Sequence, residues 1–419
     1  MPSENSTSVL IHGAHLRAES ERVLEAANGL GRSLQPATIA AVRDLLRVVN
    51  GHYSNLIEGH HLHPADVERA LAGVLSDDPE RRDLQLEGVA HVEADRFMDR
   101  SVAANPSRSV YDPTFIREIH SEFYQRIPAS LRIASRYASE DADSVVPGEY
   151  RQFDVNVGDH VAPHWTEVPQ LMQWFARDHD PAQYFVDGRG DDRAGALIDA
   201  AVGHHRLLWI HPFGDGNGRV ARLVTDAAMR RARADGNGLW SLSRGLANSR
   251  AEYFMRLADA DRALHHAAGG ESGSWPASAE RLIAFFLKMS AEQIAFMEAQ
   301  LSIENLLDRV QRYCTLRENV VVGPYSVPMS AAARRRGRPT GGFRTGTADV
   351  LRALVLEGEI GRSRVASVAR TSAPTASRLV RSLVKEGFAA LDEGKLRLRI
   401  RFPAHSLPYL FPSLVAGGG

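Results

Sequence analysis

The chain has 419 residues, 44% hydrophobic and 24% charged, the balance of a soluble globular protein with room for two or three domains. Its formal net charge is −1, so no global field draws it to nucleic acid or anionic lipid, and any such attraction must come from a local patch. The single cysteine, Cys314, excludes an intramolecular disulfide and fits a reducing compartment. The opening MPSENSTSVLIHG has neither a basic leader nor an apolar core, and no window holds the roughly 18 apolar residues of a membrane span. A cytoplasmic protein with no membrane partner is expected.

Most of the first three hundred residues read as helix. From Ala37 to Ser54, Ile39, Val42, Leu45, Leu46 and Val49 recur at spacings of three and four and form one apolar face. Asp112-Pro113 opens a second helix with Phe115, Ile116, Ile119 and Phe123 as its buried stripe. Further helices are expected over 163–177, 194–210 and 219–233. Between them, Tyr150, Arg151, Phe153, Val155 and Val157 belong to a stretch of aromatic and β-branched residues alternating with polar ones before Gly158-Asp159, which predicts a short hairpin.

Beyond residue 320, Gly323-Pro324, Pro328 and the run Arg334 to Pro339 read as an exposed linker. Helices over 347–357, 362–370 and 373–386 follow, then strands over 388–391 and 395–401, the order of a winged helix-turn-helix. Its third helix carries Thr375, Ser377, Arg378 and Arg381, residue types suited to phosphate and base-edge contacts, so DNA is a possible partner; binding to protein is the alternative. Arg336-Gly-Arg-Pro339 resembles the core of a minor-groove AT-hook. The expected division is 1–110 N-terminal helical region, 111–265 core, 266–342 helical extension and linker, 343–405 winged helix and 406–419 tail. The fold class is mainly α with a small β-hairpin flap and a C-terminal α+β unit.

The chemistry concentrates in His211-Pro-Phe-Gly-Asp-Gly-Asn-Gly-Arg-Val-Ala-Arg222. Gly214, Gly216 and Gly218 let the backbone turn tightly, and a helix starts immediately after, aiming unpaired N–H groups at the loop. Arg219 and Arg222 share one face of that helix and can reach the same anion. Asp215 is a hard oxygen ligand suited to Mg²⁺ held jointly with phosphate, and His211 can take a proton near neutral pH. A second DGNG, Asp235 to Gly238, has no histidine or arginine pair and reads as a helix-ending turn. His60, His61, His63, His204 and His205 lack the spacing of a zinc pair.

The loop resembles the signature of the Fic (filamentation induced by cyclic AMP) family, H-x-F-x-[DE]-G-N-G-R-x-x-R, at every fixed position, and the likeness extends over roughly residues 40 to 265. The resemblance implies a Mg²⁺-dependent transfer of AMP from ATP to a Ser, Thr or Tyr hydroxyl of a target protein. His211 would be the base and Asp215 the metal ligand. Asn217 and Gly218 would line the anion site with Gly216, Arg219 and Arg222 would grip the leaving phosphates, and Phe213 would anchor the loop. Tyr253 is the candidate adenine contact, with core packing as the alternative. The hairpin at Tyr150 to Val157 would dock the target by strand addition.

Ser54-Asn-Leu-Ile-Glu58-Gly59 resembles the family's inhibitory motif, which implies that Glu58 pairs with Arg222 and denies it to phosphate. A homodimer and an AMP-removing activity are further implications. Two other readings stay open: a DNA-binding regulator using the domain as a nucleotide sensor, and transfer of another phosphate-containing moiety.

Overall fold

In the computed structural model, residues 13–132, 145–180, 192–268, 274–319 and 342–415 are described, and they are mainly helical. Helix α1 (Ala14–Gly29) leads to α2 (Pro36–Ile57), which starts one residue before the expected run and continues three beyond it. Its apolar stripe of Val42, Leu45, Leu46 and Val49 is buried. Gly59, at φ +92°, makes the left-handed turn that stops it just past Glu58. Next come α3 (Pro64–Leu71) and α4 (Pro79–Ala104).

Helix α5 (Pro113–Tyr124) starts where the Asp-Pro pair placed it, with Asp112 Oδ1 accepting from the backbone N–H groups of Thr114 and Phe115 at 2.7 and 3.1 Å. A hairpin of two-residue strands follows, β1 (Asn156–Val157) against β2 (His160–Val161), much shorter than the alternation at 150–157 suggested. Then come α6 (Val168–Asp178), α7 (Arg193–Ile210) and α8 (Asn217–Arg231). Phe115, Ile116, Ile119 and Phe123 of α5 share one core with Phe213 and Val220 around the α7–α8 junction. Asp235 to Gly238 closes off α8 in a tight turn with Asn237 at φ +62°, which answers to the helix-ending turn expected there.

Helices α9 (Leu242–Asn248), α10 (Arg250–Ala268), α11 (Ser274–Leu301) and α12 (Ile303–Glu318) extend the bundle. Cys314 on α12 is fully buried, and burial pushes its thiol up to about 12, so it is a packing residue. The linker expected from Gly323 to Gly342, with Arg336-Gly-Arg-Pro339, lies outside the described residues except for Gly342.

The C-terminal unit runs α13 (Thr347–Glu357), β3 (Glu359–Gly361), α14 (Val365–Val368), α15 (Ala373–Lys385), β4 (Ala389–Leu391) and β5 (Arg397–Ile400), with antiparallel sheet order β3–β5–β4. Strand β3 was not anticipated, because three residues are too few to show alternation. The helix expected over 362–370 is a 3₁₀ turn followed by the single turn of α14.

This unit is not tethered loosely. Val350 and Leu354 of α13 join the same core as Leu45 and Val49 of α2. Thr38 Oγ1 donates to Val355 O at 3.0 Å, and Tyr53 donates its buried hydroxyl to Leu414 O at 2.9 Å. The tail expected at 406–419 is therefore corrected through residue 415. It contains the short helix α16 (Leu407–Leu410), and Phe411 and Leu414 are buried because α12 and α2 leave an apolar surface that they cover. Among the described residues, no helix is long and apolar enough to cross a membrane.

Arg244 is the clasp of this junction. It donates to Gln293 Oε1 at 2.6 Å, Ser413 O at 2.8 Å and Leu414 O at 3.2 Å, and stacks over Phe296 at 3.8 Å. Arg244→Ala should lower stability by about 2–3 kcal/mol, since it orphans acceptors that were bonded to a charge. Urea denaturation measures this as a lower midpoint; an unchanged midpoint contradicts it.

Candidate functional site

The site is built where α7 ends and α8 begins. His211 caps α7 with φ +50° and ψ +59°, a left-handed conformation that a histidine adopts at some cost and that swings the chain into the glycine loop. Gly216 sits at φ +79°, and a Cβ there would lie 2.6 Å from Tyr124, so only glycine fits. Asn217 clamps the loop shut: its Oδ1 accepts from Phe213 N and its Nδ2 donates to Phe213 O, both at 2.9 Å. Its side chain is thus committed to the loop, and of Asn217 only the backbone is left to line an anion site.

Phe213 is fully buried and stacks on His120, ring centroids 3.9 Å apart and planes 8° apart. His120 Nδ1 accepts from Gly148 N at 2.8 Å, so its proton sits on Nε2, which faces Asp215 O at 3.3 Å. Burial lowers His120 to about 3, keeping it neutral in that role. Arg151, expected on the target-docking flap, is corrected: it is buried beneath the loop. Its guanidinium donates to His211 O and Phe153 O at 2.8 Å and to Pro163 O at 2.5 Å, because these carbonyls would otherwise have no donor. Val155 is buried as well, Tyr150 packs near Phe213 at 5.9 Å between ring centroids, and Phe153 is half-buried. Of the five flap residues named from sequence, Val157 alone is exposed, beside Val161 of the facing strand.

His211 Nδ1 lies 3.3 Å from Leu208 O, which puts the proton on Nδ1 and leaves Nε2 with a free lone pair. Burial lowers the imidazole to about 4, so it is neutral at physiological pH.

Both arginines of the motif are buried and held by carboxylates. Arg222 donates from Nε to Ser54 Oγ at 2.8 Å, and from Nη2 to Ser54 O at 2.9 Å and Glu58 Oε1 at 2.5 Å. Ser54 and Glu58 are four apart on α2 and so share a face. The Glu58 carboxylate also lies directly over Gly218, at the N-terminal end of α8, where any side chain would collide with it. About a third of the Glu58 side chain is exposed. Burial opposes its charge, yet Arg222 and Arg219 outweigh that and hold it below the usual carboxylate range. A negatively charged carboxylate therefore sits against Arg222 and over the N-terminal turn of α8.

Arg219 pairs with Glu87 of α4, with Asp215 Oδ2 at 2.9 Å and with the Tyr124 hydroxyl at 3.1 Å, and its guanidinium lies over the Phe123 ring at 4.9 Å. Tyr124 in turn donates to Asp215 Oδ2 at 2.5 Å. Burial opposes ionisation of Asp215, but Arg219 and this hydroxyl keep it below the usual range, so it is an available anion. His60 caps the far side of Glu87 at 2.6 Å, and that bond raises the histidine. Among the described residues, no cluster of three His, Cys, Asp or Glu side chains could cage a metal. Asp215 by itself suits Mg²⁺, which takes one or two carboxylates together with substrate phosphate.

Tyr253 is corrected from adenine contact to core. It is 1% exposed, because its hydroxyl completes a buried chain: it donates to His204 Nε2 at 2.7 Å, His204 Nδ1 donates to Thr225 Oγ1 at 2.8 Å, and Thr225 donates to Ala221 O. Glu87, Tyr124 and His120 were not found from sequence. One signal existed: Gln85, Glu87, His91 and Asp95 fall on the buried face of α4, where polar side chains need partners.

Residues 110–229 match the Fic/DOC family. They are a Fic-family domain. The chain is similar to a protein adenylyltransferase Fic of Drosophila grimshawi, 34% identical over 90 residues that cover 22% of this chain and 17% of that one. The matched stretch thus spans under a fifth of the length of the curated relatives. Similar solved structures include a Fic-1 fragment from C. elegans, 19% identical, TM-score 0.49, covering 68% of this chain and 72% of that one. Another is a Fic family protein from Desulfovibrio desulfuricans, 16% identical, TM-score 0.46, covering 92% and 95%.

The neutral histidines beneath the Fic loop make acid stability a test of this geometry. Burial holds His91, His120 and His204 near about 3, so below the unfolded value of about 6.5 the unfolded chain takes up protons first. Each imidazole should then remove about 1.4 kcal/mol of stability per pH unit, starting below about pH 6.5 and ending near about 3. Urea midpoints should fall steeply between about pH 6.5 and 5; a flat profile contradicts the buried neutral assignments.

Proposed function

We propose that the Fic domain transfers AMP from ATP to a hydroxyl of a target protein and that Glu58 holds it in check. The observation that carries this reading is the Glu58 carboxylate seated over Gly218 and paired with Arg222. That place is framed by a helix N-terminus and a buried guanidinium, a combination that suits the terminal phosphate of a nucleotide.

In the reaction, His211 Nε2 takes the proton from the acceptor hydroxyl as its oxygen bonds to the α-phosphorus, and the α–β bridging oxygen leaves with pyrophosphate. His211 suits this role because it is neutral and its Nδ1 is committed to Leu208 O. Arg219 and Arg222 offset the charge that builds on the departing phosphates. Asp215 would hold Mg²⁺, which supplies charge neutralisation on the phosphates when bound. Arg151 fixes the carbonyl of His211 and so positions the base without touching substrate. The exposed edge at Val157 and Val161 offers the target a strand to pair with.

While Glu58 is seated, Arg222 serves a carboxylate, and a triphosphate can bind only with its terminal group displaced. Removing the carboxylate frees the guanidinium. After incubation with ATP and Mg²⁺, intact mass spectrometry of Glu58→Gly should show added AMP on the chain or on an acceptor protein, at least tenfold above wild type. Glu58→Gly combined with His211→Ala should show none. Equal labelling of wild type and Glu58→Gly would defeat the restraint, and an added group other than AMP would defeat the chemistry.

A further inference from the structure

The charge of the chain is divided unevenly. Residues 343–415 carry twelve Arg and Lys against six Asp and Glu, whereas the whole chain has net charge −1, so the rest is acidic. Within the C-terminal unit, three of the six acids are already neutralised by arginines. Glu357 pairs with Arg364, Glu359 with Arg397 and Arg399, and Glu386 with Arg317 of α12. The cations left over gather on one face. On α15, Ala376, Leu379, Val380 and Leu383 are buried, while Arg378, Arg381 and Lys385 are exposed roughly half a turn away, at about 100° per residue. Among the described residues, no ion pair involves any of these three, and none involves Arg362 or Arg370.

We propose that this face binds duplex nucleic acid, with α15 lying in the major groove. Three observations support it. First, α15 is 13 residues long and packs its inner side against α14 and β4, with its cationic stripe exposed. A helix of this kind fits the roughly 12 Å width of the major groove. Second, its N-terminal turn presents Ser372 and Pro374 exposed and Thr375 half-exposed, so hydroxyls and unpaired N–H groups meet the flanking phosphates. Third, Arg362 N donates to Leu396 O at 2.7 Å, which brings Arg362 beside the β4–β5 turn carrying Lys395 and forms a second cationic edge. Of the two acids in that turn, Asp392 is folded inward, accepting from the backbone N–H groups of Leu396 and Arg397 at 2.7 and 3.0 Å. Glu393 is the one acid exposed at its tip.

Ser377 is half-buried and stands at the border of the stripe, so the cations supply affinity and Thr375 with Arg378 are placed to read bases. No part of the face belongs to the Fic site, and the proposal stands independently of AMP transfer.

Fluorescence anisotropy of the full chain against a labelled duplex of roughly 20 base pairs tests this, at about 50 and about 200 mM salt. Wild type should bind at the lower salt and lose affinity steeply at the higher. Arg378→Ala with Arg381→Ala and Lys385→Ala should weaken binding at least tenfold and reduce the log–log salt slope by about 2–3, since each lost phosphate contact removes about 0.9. Circular dichroism on the same variant should match wild type, because all three side chains are solvent-exposed, and Glu58→Gly should bind the duplex as wild type does. No binding at the lower salt overturns the proposal. So does a triple variant with unchanged affinity and slope, or a face that captures a protein partner and no duplex.

Discussion

The structure turns on the guanidinium of Arg222. A buried arginine cannot be left unpaired, and the loop glycines offer it no side-chain acceptor, so its partners must come from another element. Ser54, in the last turn of α2, and Glu58, the residue that caps it, supply them. Once that pairing exists, residue 218 must be small, because a side chain there would collide with the Glu58 carboxylate. Under the proposed function, the same carboxylate would occupy the place where the nucleotide's terminal phosphate is gripped. On that proposal, structural satisfaction and restraint would be one interaction.

Helix α2 is held from two sides. Its C-terminal end is gripped by Arg222. Its other faces pack into a core shared with α13 and the residues up to 415, with Thr38 and Tyr53 bonded to backbone carbonyls there. The segment carrying Glu58 is therefore part of a continuous body that reaches the basic C-terminal face. Arg244 and the buried Leu414 close that junction, within the stretch read from the sequence as a tail.

Legibility followed the range of the interactions. His211 to Arg222 could be read because loop, helix start and arginine pair are contiguous, and their spacing alone fixes what they can share. Ser54 and Glu58 were legible only through their resemblance to the Fic inhibitory motif, because nothing local in the sequence ties them to an arginine 164 residues away. Arg151 was misassigned because alternation of side chains tells strand from helix but not which carbonyls a long guanidinium will find. Tyr253 was misassigned for a related reason: an aromatic residue near a site serves substrate or core according to whether a partner such as His204 waits behind it. Glu87 came from a distant helix, and its only trace was a polar residue at a buried phase. Strand β3 was too short to have a period.

Calorimetric titration of ATP and of ADP into the wild-type and Glu58→Gly proteins tests the central claim most directly. If the carboxylate occupies the place of the terminal phosphate, removing it should tighten ATP at least tenfold, about 1.4 kcal/mol, and leave ADP nearly unchanged. Equal gains for both nucleotides, or no gain for ATP, would contradict the account.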